Sequence, residues 1–320
     1  MFSVLQNCAV NEPLFPNLRT FKFWFALAGE IVPFIPLFLS PRTTAIGIGF
    51  IGLSSLHKAT VPSMLATLRT TCPNLEDVSL ESLPRDPMIT AAVSGMLLAS
   101  GRNALRSIHM DSPLAEETLE VICKLPNLRA LTVILEGDTS LPTLVLPNLT
   151  NLIIEYHHNS DWLKGFRGAT LGKLETIELI HCRFERIGDL LEEFERVVLA
   201  TSTQNMLSSF SLLTSCSWNP NYYSLLPFTQ LAHLLIEFSC DDGCSSTVDD
   251  DVITTLAQAM PSLKFLSLGN PPCSEFLTGV TARGLAVLAH HCQRLGRRYD
   301  SAVMSDELAA ALCLPRTDSE

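Results

Sequence analysis

Basic residues are scarce in this chain. Its 22 lysines and arginines stand against 33 aspartates and glutamates, a formal net charge of -11 at pH 7. Such a balance disfavours nucleic acid and anionic membrane as partners, and it mildly favours a basic protein. Charge of either sign is sparse: 17% of the residues are charged, whereas 47% are hydrophobic. That composition supplies a large core and excludes a disordered chain. The start, MFSVLQNCAVNEPLFPNL, lacks the basic n-region and apolar h-region of a secretory signal. Ten cysteines spread singly along such a chain read as reduced thiols of the cytoplasm or nucleus.

Long apolar runs are also missing. Phe21 to Leu39 comes nearest, but Lys22, Glu30, Pro33 and Pro36 interrupt it. A spanning helix needs about 20 apolar residues without such breaks, so no membrane span is expected.

Catalytic and metal motifs are absent or incomplete. No G-x-S-x-G and no H-E-x-x-H occurs. Cys240 and Cys244 flank a turn, with no second pair at zinc spacing to complete a site. Asp241, Asp242 and the Asp249–Asp251 triplet lack the alternating ligands and central glycine of a calcium loop, and they suit helix capping instead. His157-His158 and His290-His291 are adjacent pairs whose side chains diverge on a helix or strand. Gly47 to Gly52 spells G-x-G-x-x-G, but residues 53–75 hold no Asp or Glu to bind a ribose, and Phe50 and Ile51 suit packing in a turn between repeats. Asn148-Leu149-Thr150 spells a glycosylation sequon around a residue that belongs in the core. The expectation is no catalytic residue, no metal and no cofactor.

What is present is a repeat. Nine times a leucine is followed three and five positions later by further apolar residues, starting at Leu18, Leu75, Leu105, Leu128, Leu149, Leu174, Leu207, Leu231 and Leu263. Typical runs are LPNLRALTV, LPNLTNLII and MPSLKFLSL. This L-x-x-L-x-L core is the signature of a leucine-rich repeat. A less regular strand is expected around Ala45 to Ile48. Helical periodicity fills the longer gaps. Ile187, Leu190, Leu191, Phe194, Val197 and Val198 make one apolar face. Asp249–Asp251 open a second helix, with Ile253, Leu256, Ala257 and Met260 facing inward. Thr281 opens a third, through Leu285, Leu288 and Ala289. Cys72 and Cys292 stand just before repeat leucines and Cys182 eight residues after one, all at buried phases.

The predicted fold is α/β, a leucine-rich-repeat solenoid with a curved parallel sheet on the concave side and helices on the convex side. About ten irregular repeats occupy residues 1–295. Beyond Leu295 the template fails at Arg298 and Asp300, leaving a divergent tail over 296–320 in which Ser305 to Leu312 reads as a short capping helix.

The helix Thr281-Ala282-Arg283-Gly284-Leu285-Ala286-Val287-Leu288-Ala289-His290-His291-Cys292 is similar to the repeats of F-box proteins. LPNLRALTVILEGDTSLPTLVLPNLTNLIIEY and LLPFTQLAHLLIEFSCDDGCSSTVDDDVITTLAQAMPSL resemble F-box/leucine-rich-repeat proteins of mushroom-forming fungi, over roughly residues 14 to 295. The resemblance implies the substrate-recognition subunit of a Skp–cullin–F-box ubiquitin ligase. There an N-terminal F-box grips the Skp adaptor and the repeats hold the substrate. No F-box is read before Leu18, so binding of the Skp adaptor is expected only through an F-box outside this chain. A truncated, nonfunctional or regulatory fragment of a longer F-box gene is the alternative, and a nucleotide-binding enzyme is a distant third.

Strand residues two, four and six after each repeat leucine point away from the core. They include Asp77, Glu81, His109, Asp111, Ile134, Ile153, Glu155, Glu178, Ile180, Leu213, Leu235, Glu237 and Phe265, with Lys22 the one clear cation. Ten of these form the candidate protein-binding face: Asp111, Ile134, Ile153, Glu155, Glu178, Ile180, Leu213, Leu235, Glu237 and Phe265. An exposed apolar strip among carboxylates suits a basic protein segment that also carries apolar residues.

Overall fold

Burial alternates along the repeat runs, as a strand with one face on a core requires. A computed structural model describes residues 13–24, 32–50, 59–99, 104–136, 142–156, 169–182, 188–200, 206–214, 221–238, 248–269 and 279–295. Within the span read as one repeat domain, two compact units are distinguished, residues 1–174 and 175–320.

The first unit holds strands β1 (Thr20–Phe23), β2 (Ala45–Gly49), β3 (Asp77–Glu81), β4 (Ser107–Pro113), β5 (Ala130–Leu135) and β6 (Asn151–Tyr156). Each pairs in parallel with the next in sequence. The expected irregular strand is β2. Matching repeat positions stand side by side: Val78 beside Ile108, Ile108 beside Leu131, Leu131 beside Leu152. Leu131, Val133, Leu152 and Ile154, on adjacent parallel strands, and Leu128 and Leu149, two residues before those strands, are at most 2% exposed, as the repeat predicts.

A backbone device holds this register. The carbonyl one residue after the repeat leucine accepts two amides from the next repeat. Arg106 O takes Arg129 N at 2.7 Å and Ala130 N at 3.0 Å, and Arg129 O takes Thr150 N at 2.8 Å and Asn151 N at 2.9 Å. Thr44 O and Glu76 O do the same. Turn groups that would otherwise lack partners are thereby satisfied.

Helices α1 (Thr60–Thr71), α2 (Pro87–Ala99) and α3 (Glu116–Ile122) return the chain between strands. In α1 the buried residues are Val61, Met64, Leu65 and Leu68, one face at helical period. Helix α1 packs on α2, and α2 on α3.

The second unit holds β7 (Thr176–Cys182), β8 (Ser209–Thr214), β9 (His233–Phe238) and β10 (Phe265–Gly269), with α4 (Gly188–Ala200), α5 (Asp250–Ala259) and α6 (Ala282–His291). Strands β7 to β10 are parallel and in sequence order. Phe194 of α4 meets Phe210 of β8 at 4.8 Å and Phe228 at 5.5 Å between ring centroids, anchoring helix to sheet. Asp249 caps α5, its Oδ1 accepting the amides of Asp251 at 3.1 Å and Val252 at 2.9 Å. Thr281 caps α6.

Three expectations need correction. Leu18, Phe21 and Phe23, read as core, are half-buried, as are Leu266 and Leu268. Among the described residues β1 and β10 each have a strand on one side only, so less surface is covered. In α6 Leu288 is buried, but Ala289 is exposed and Gly284 takes its place at the interface. The helix is rotated because Gly284, lacking a side chain, lies against Asp250.

Cys72, Cys123 and Cys292 are buried. Burial pushes the Cys72 thiol up to about 11 and the Cys123 thiol up to about 12, so both stay protonated and act as small apolar side chains. Ile51 and Gly52, His157 and His158, Ile187, Cys240, Cys244, Asp241, Asp242 and the 296–320 tail lie outside the described residues. So do the side chains of Cys182, Leu190 and Val197.

Candidate interaction face

Outside β1 and β10, the core takes the residues at offsets zero, three and five from the repeat leucines. The alternate residues form an open face on the sheet. In the first unit that face is acidic toward the C-terminal ends of β3 and β4. Glu81 Oε1 lies 3.5 Å from His109 Nε2. Burial pushes the Glu81 carboxyl above its ordinary value. The neighbouring Asp111 adds to the rise, and His109 opposes it. Asp111 is held in place, accepting hydrogen bonds from the Ser82 amide and, at 3.3 Å, from the Ser112 hydroxyl. Ser82 has φ 54°, a left-handed conformation that a non-glycine residue holds only when its surroundings enforce it. The Asp111 carboxylate supplies that constraint.

At the N-terminal end of the same face the charges are balanced. Asp77 is raised by burial and by Glu76, while Arg106 and Lys22 pull it down. Across the top, Arg85 makes a two-pronged pair with Glu136 at 2.8 and 3.0 Å, tying the turn after β3 to the end of β5.

The predicted face residues fall as follows. Ile153 stands beside Thr132, and Glu155 beside Ile134. Both Ile153 and Glu155 are half-buried on the open face. Ile134 was expected to be exposed and is only 8% so. A register shift in β4 between His109 and Pro113 sets Pro113 next to Ile134, with Glu155 on its other side. In the second unit Glu178, Ser211, Leu235 and Ser267 form one row across four strands. Leu213 stands beside Glu237. Ile180 is half-buried on β7. Phe265, 40% exposed, stacks on His233 at 6.4 Å, and Ser267 Oγ donates to Glu237 Oε1 at 3.3 Å.

No family model matches this chain. Over 88 residues it is 34% identical to an FBD-associated F-box protein of Arabidopsis thaliana. That stretch is 27% of this chain and 18% of the Arabidopsis protein, so the match spans less than a fifth of that relative. A chain in the crystal structure of the yeast Rad7 and Elc1 complex aligns with a TM-score of 0.47 at 18% identity, covering 83% of this chain and 74% of that one.

The sequence did not point to Trp24. It follows β1 and lies over the two glycines of β2. A Cβ on Gly47 would stand 2.9 Å from Trp24 Cζ2, and one on Gly49 would stand 3.4 Å from Cε3. The glycine run is therefore room for an indole. Trp24 is 40% exposed. Asn148 of the sequon is also engaged structurally, its Nδ2 donating to Pro126 O at 2.9 Å and its Oδ1 accepting from Lys173 Nζ at 2.8 Å. A cavity of about 720 Å³ opens between α2 and the segment leading into α3, with Leu83, Ile89, Leu98 and Leu114 in its lining. Among the described residues no cluster of His, Cys, Asp and Glu could hold a metal, and no helix is long and apolar enough to cross a membrane.

Proposed function

We propose that this chain is a leucine-rich-repeat recognition module in which the open sheet face of each unit binds a basic protein segment carrying apolar residues. One observation carries the reading: carboxylates and apolar side chains alternate along the open sheet face of each unit. Ile153 and Glu155 share β6, Leu235 and Glu237 share β9, and Glu178 stands in register with Ser211. Carboxylates on an open face speed encounter with a cationic partner, and half-buried apolar residues retain it. The similarity over 88 residues to a plant F-box protein supports a more specific role, substrate recognition for a Skp–cullin–F-box ubiquitin ligase. In that role the repeats hold the substrate, and any link to the Skp adaptor runs through an F-box rather than through the repeats.

The test is binding kinetics with a captured partner. Glu155→Lys with Glu178→Lys should slow association, more so at low salt. Ile153→Asp should speed dissociation instead. A partner that binds all these variants as it binds the wild type excludes the open face.

A further inference from the structure

The open face of the first unit contains a more specific feature, and its interpretation rests on the reading just proposed. Trp24 is seated on a floor of two glycines, one ring face against the β2 backbone, while 40% of the residue stays open. Gly49 is in register with Glu81 on the neighbouring strand. Adjacent strands lie about 4.8 Å apart, so Glu81 projects from the strand beside the one that carries the indole, and the outer face of the ring is the face left for a ligand. On its far side Glu81 faces His109 through Oε1 at 3.5 Å. Among the described residues its second oxygen has no partner. Asp111 behind it is already engaged by the Ser82 amide and the Ser112 hydroxyl. Lys22, in register with Gly47, lies beside the same floor, its Cγ 3.3 Å from a Cβ placed on Gly47, and its charge is drawn to Asp77.

We infer that Trp24 and Glu81 form a seat for one arginine side chain of the bound segment. A guanidinium is planar, stacks on an indole face, and presents paired N–H donors to a carboxylate. The ammonium of lysine can do only part of this, being a compact point charge without a stacking plane. A neutral side chain of the same shape keeps the plane and N–H donors but loses the positive charge that strengthens both contacts. The glycines serve the seat as well: any side chain at Gly47 would push the indole off the sheet.

The experiment uses the full chain with ¹⁵N-labelled indoles and three short probes, Ac-Gly-Arg-Gly-NH2 and its citrulline and lysine counterparts. The Trp24 indole signal is assigned through Trp24→Phe. The arginine probe should shift it saturably, the lysine probe more weakly, and the citrulline probe at least about tenfold more weakly. Glu81→Gln should weaken the arginine probe by about tenfold. An unmoved Trp24 signal, or equal shifts from arginine and citrulline, overturns the seat. A nine-residue peptide of alternating arginine and leucine separates this failure from that of the broader reading. Loss of its binding in Glu155→Lys with Glu178→Lys, but not in Glu81→Gln, discards the seat and keeps the face. Loss in Glu81→Gln alone keeps the seat and discards the wider face.

Discussion

Asp250 and Gly284 touch so closely that no side chain fits between them. A Cβ on Gly284 would overlap Asp250 Oδ1 and stand 3.1 Å from its Cγ. The carboxylate is held there because it accepts three hydrogen bonds from the start of α6: Thr281 N at 2.7 Å, Thr281 Oγ1 at 2.5 Å and Gly284 N at 3.2 Å. One acidic residue at the start of α5 thus caps the next helix of the second unit.

Two glycine substitutions should therefore act in opposite directions. Gly284→Ala places a methyl group into the Asp250 carboxylate and should lower the melting temperature, although alanine is the better helix former. Gly95, inside α2, has nothing within 4 Å of its Cβ position. Gly95→Ala should stabilise by about 0.5–1 kcal/mol. Thermal unfolding of both variants checks the pair, and a stabilised Gly284→Ala would contradict the packing of α6.

The same clasp has a pH signature. Hydrogen bonds from the Thr281 side chain, then the Thr281 amide, hold the Asp250 carboxyl below its ordinary 3.8. A depressed folded value means that the contribution is present above the unfolded value and lost as pH falls through the folded one. Protection of the Thr281 and Gly284 amides, measured against their intrinsic exchange rates, should hold down to about pH 4 and fall below it. Asp250→Asn should lower that protection at neutral pH too. Protection that ignores both changes would show that the clasp does not hold α6.

Glu81 has the opposite sign. Burial and Asp111 raise its folded value, so ionisation is disfavoured in the fold. The charge costs stability at neutral pH, and that cost is relieved as pH falls through the raised value. Glu81→Gln should thus raise stability slightly, by less than about 1 kcal/mol, while weakening capture of an arginine peptide. Denaturation and titration on one sample measure both. A loss of stability would mean that His109 and the turn at Ser82 depend on this carboxylate.

Neighbouring residues on β6 should differ sharply. Leu152 is 1% exposed in the core, whereas Ile153 is half-buried on the open face. Leu152→Ala should cost about 2–5 kcal/mol, and Ile153→Ala clearly less. Equal costs by denaturant unfolding would mean that the two faces are misassigned.

These contrasts mark how far local pattern reaches. Nine leucines with fixed apolar offsets define strands, because side chains alternate along an extended backbone whatever surrounds them. The same alternation, by its period of two, assigns Ile153, Glu155, Leu235 and Glu237 to one face. Aspartate and threonine at 249 and 281 mark helix starts because capping is a local bond. Other features arise between repeats, across connections of irregular length. There the register is set by backbone pairs such as Arg106 O with Arg129 N and Ala130 N, which carry no side-chain signature. A register shift buries Ile134 beside Pro113. The Asp111 carboxylate holds Ser82 left-handed, and Gly284 is needed only because Asp250 reaches it. Trp24 follows a strand in the sequence, yet only the parallel approach of β2 lays its indole on Gly47 and Gly49 beside Glu81. Alternation along each strand was thus determined by the sequence alone. Which side chains meet across strands was decided by non-local backbone pairing, which forms only when the tertiary structure does.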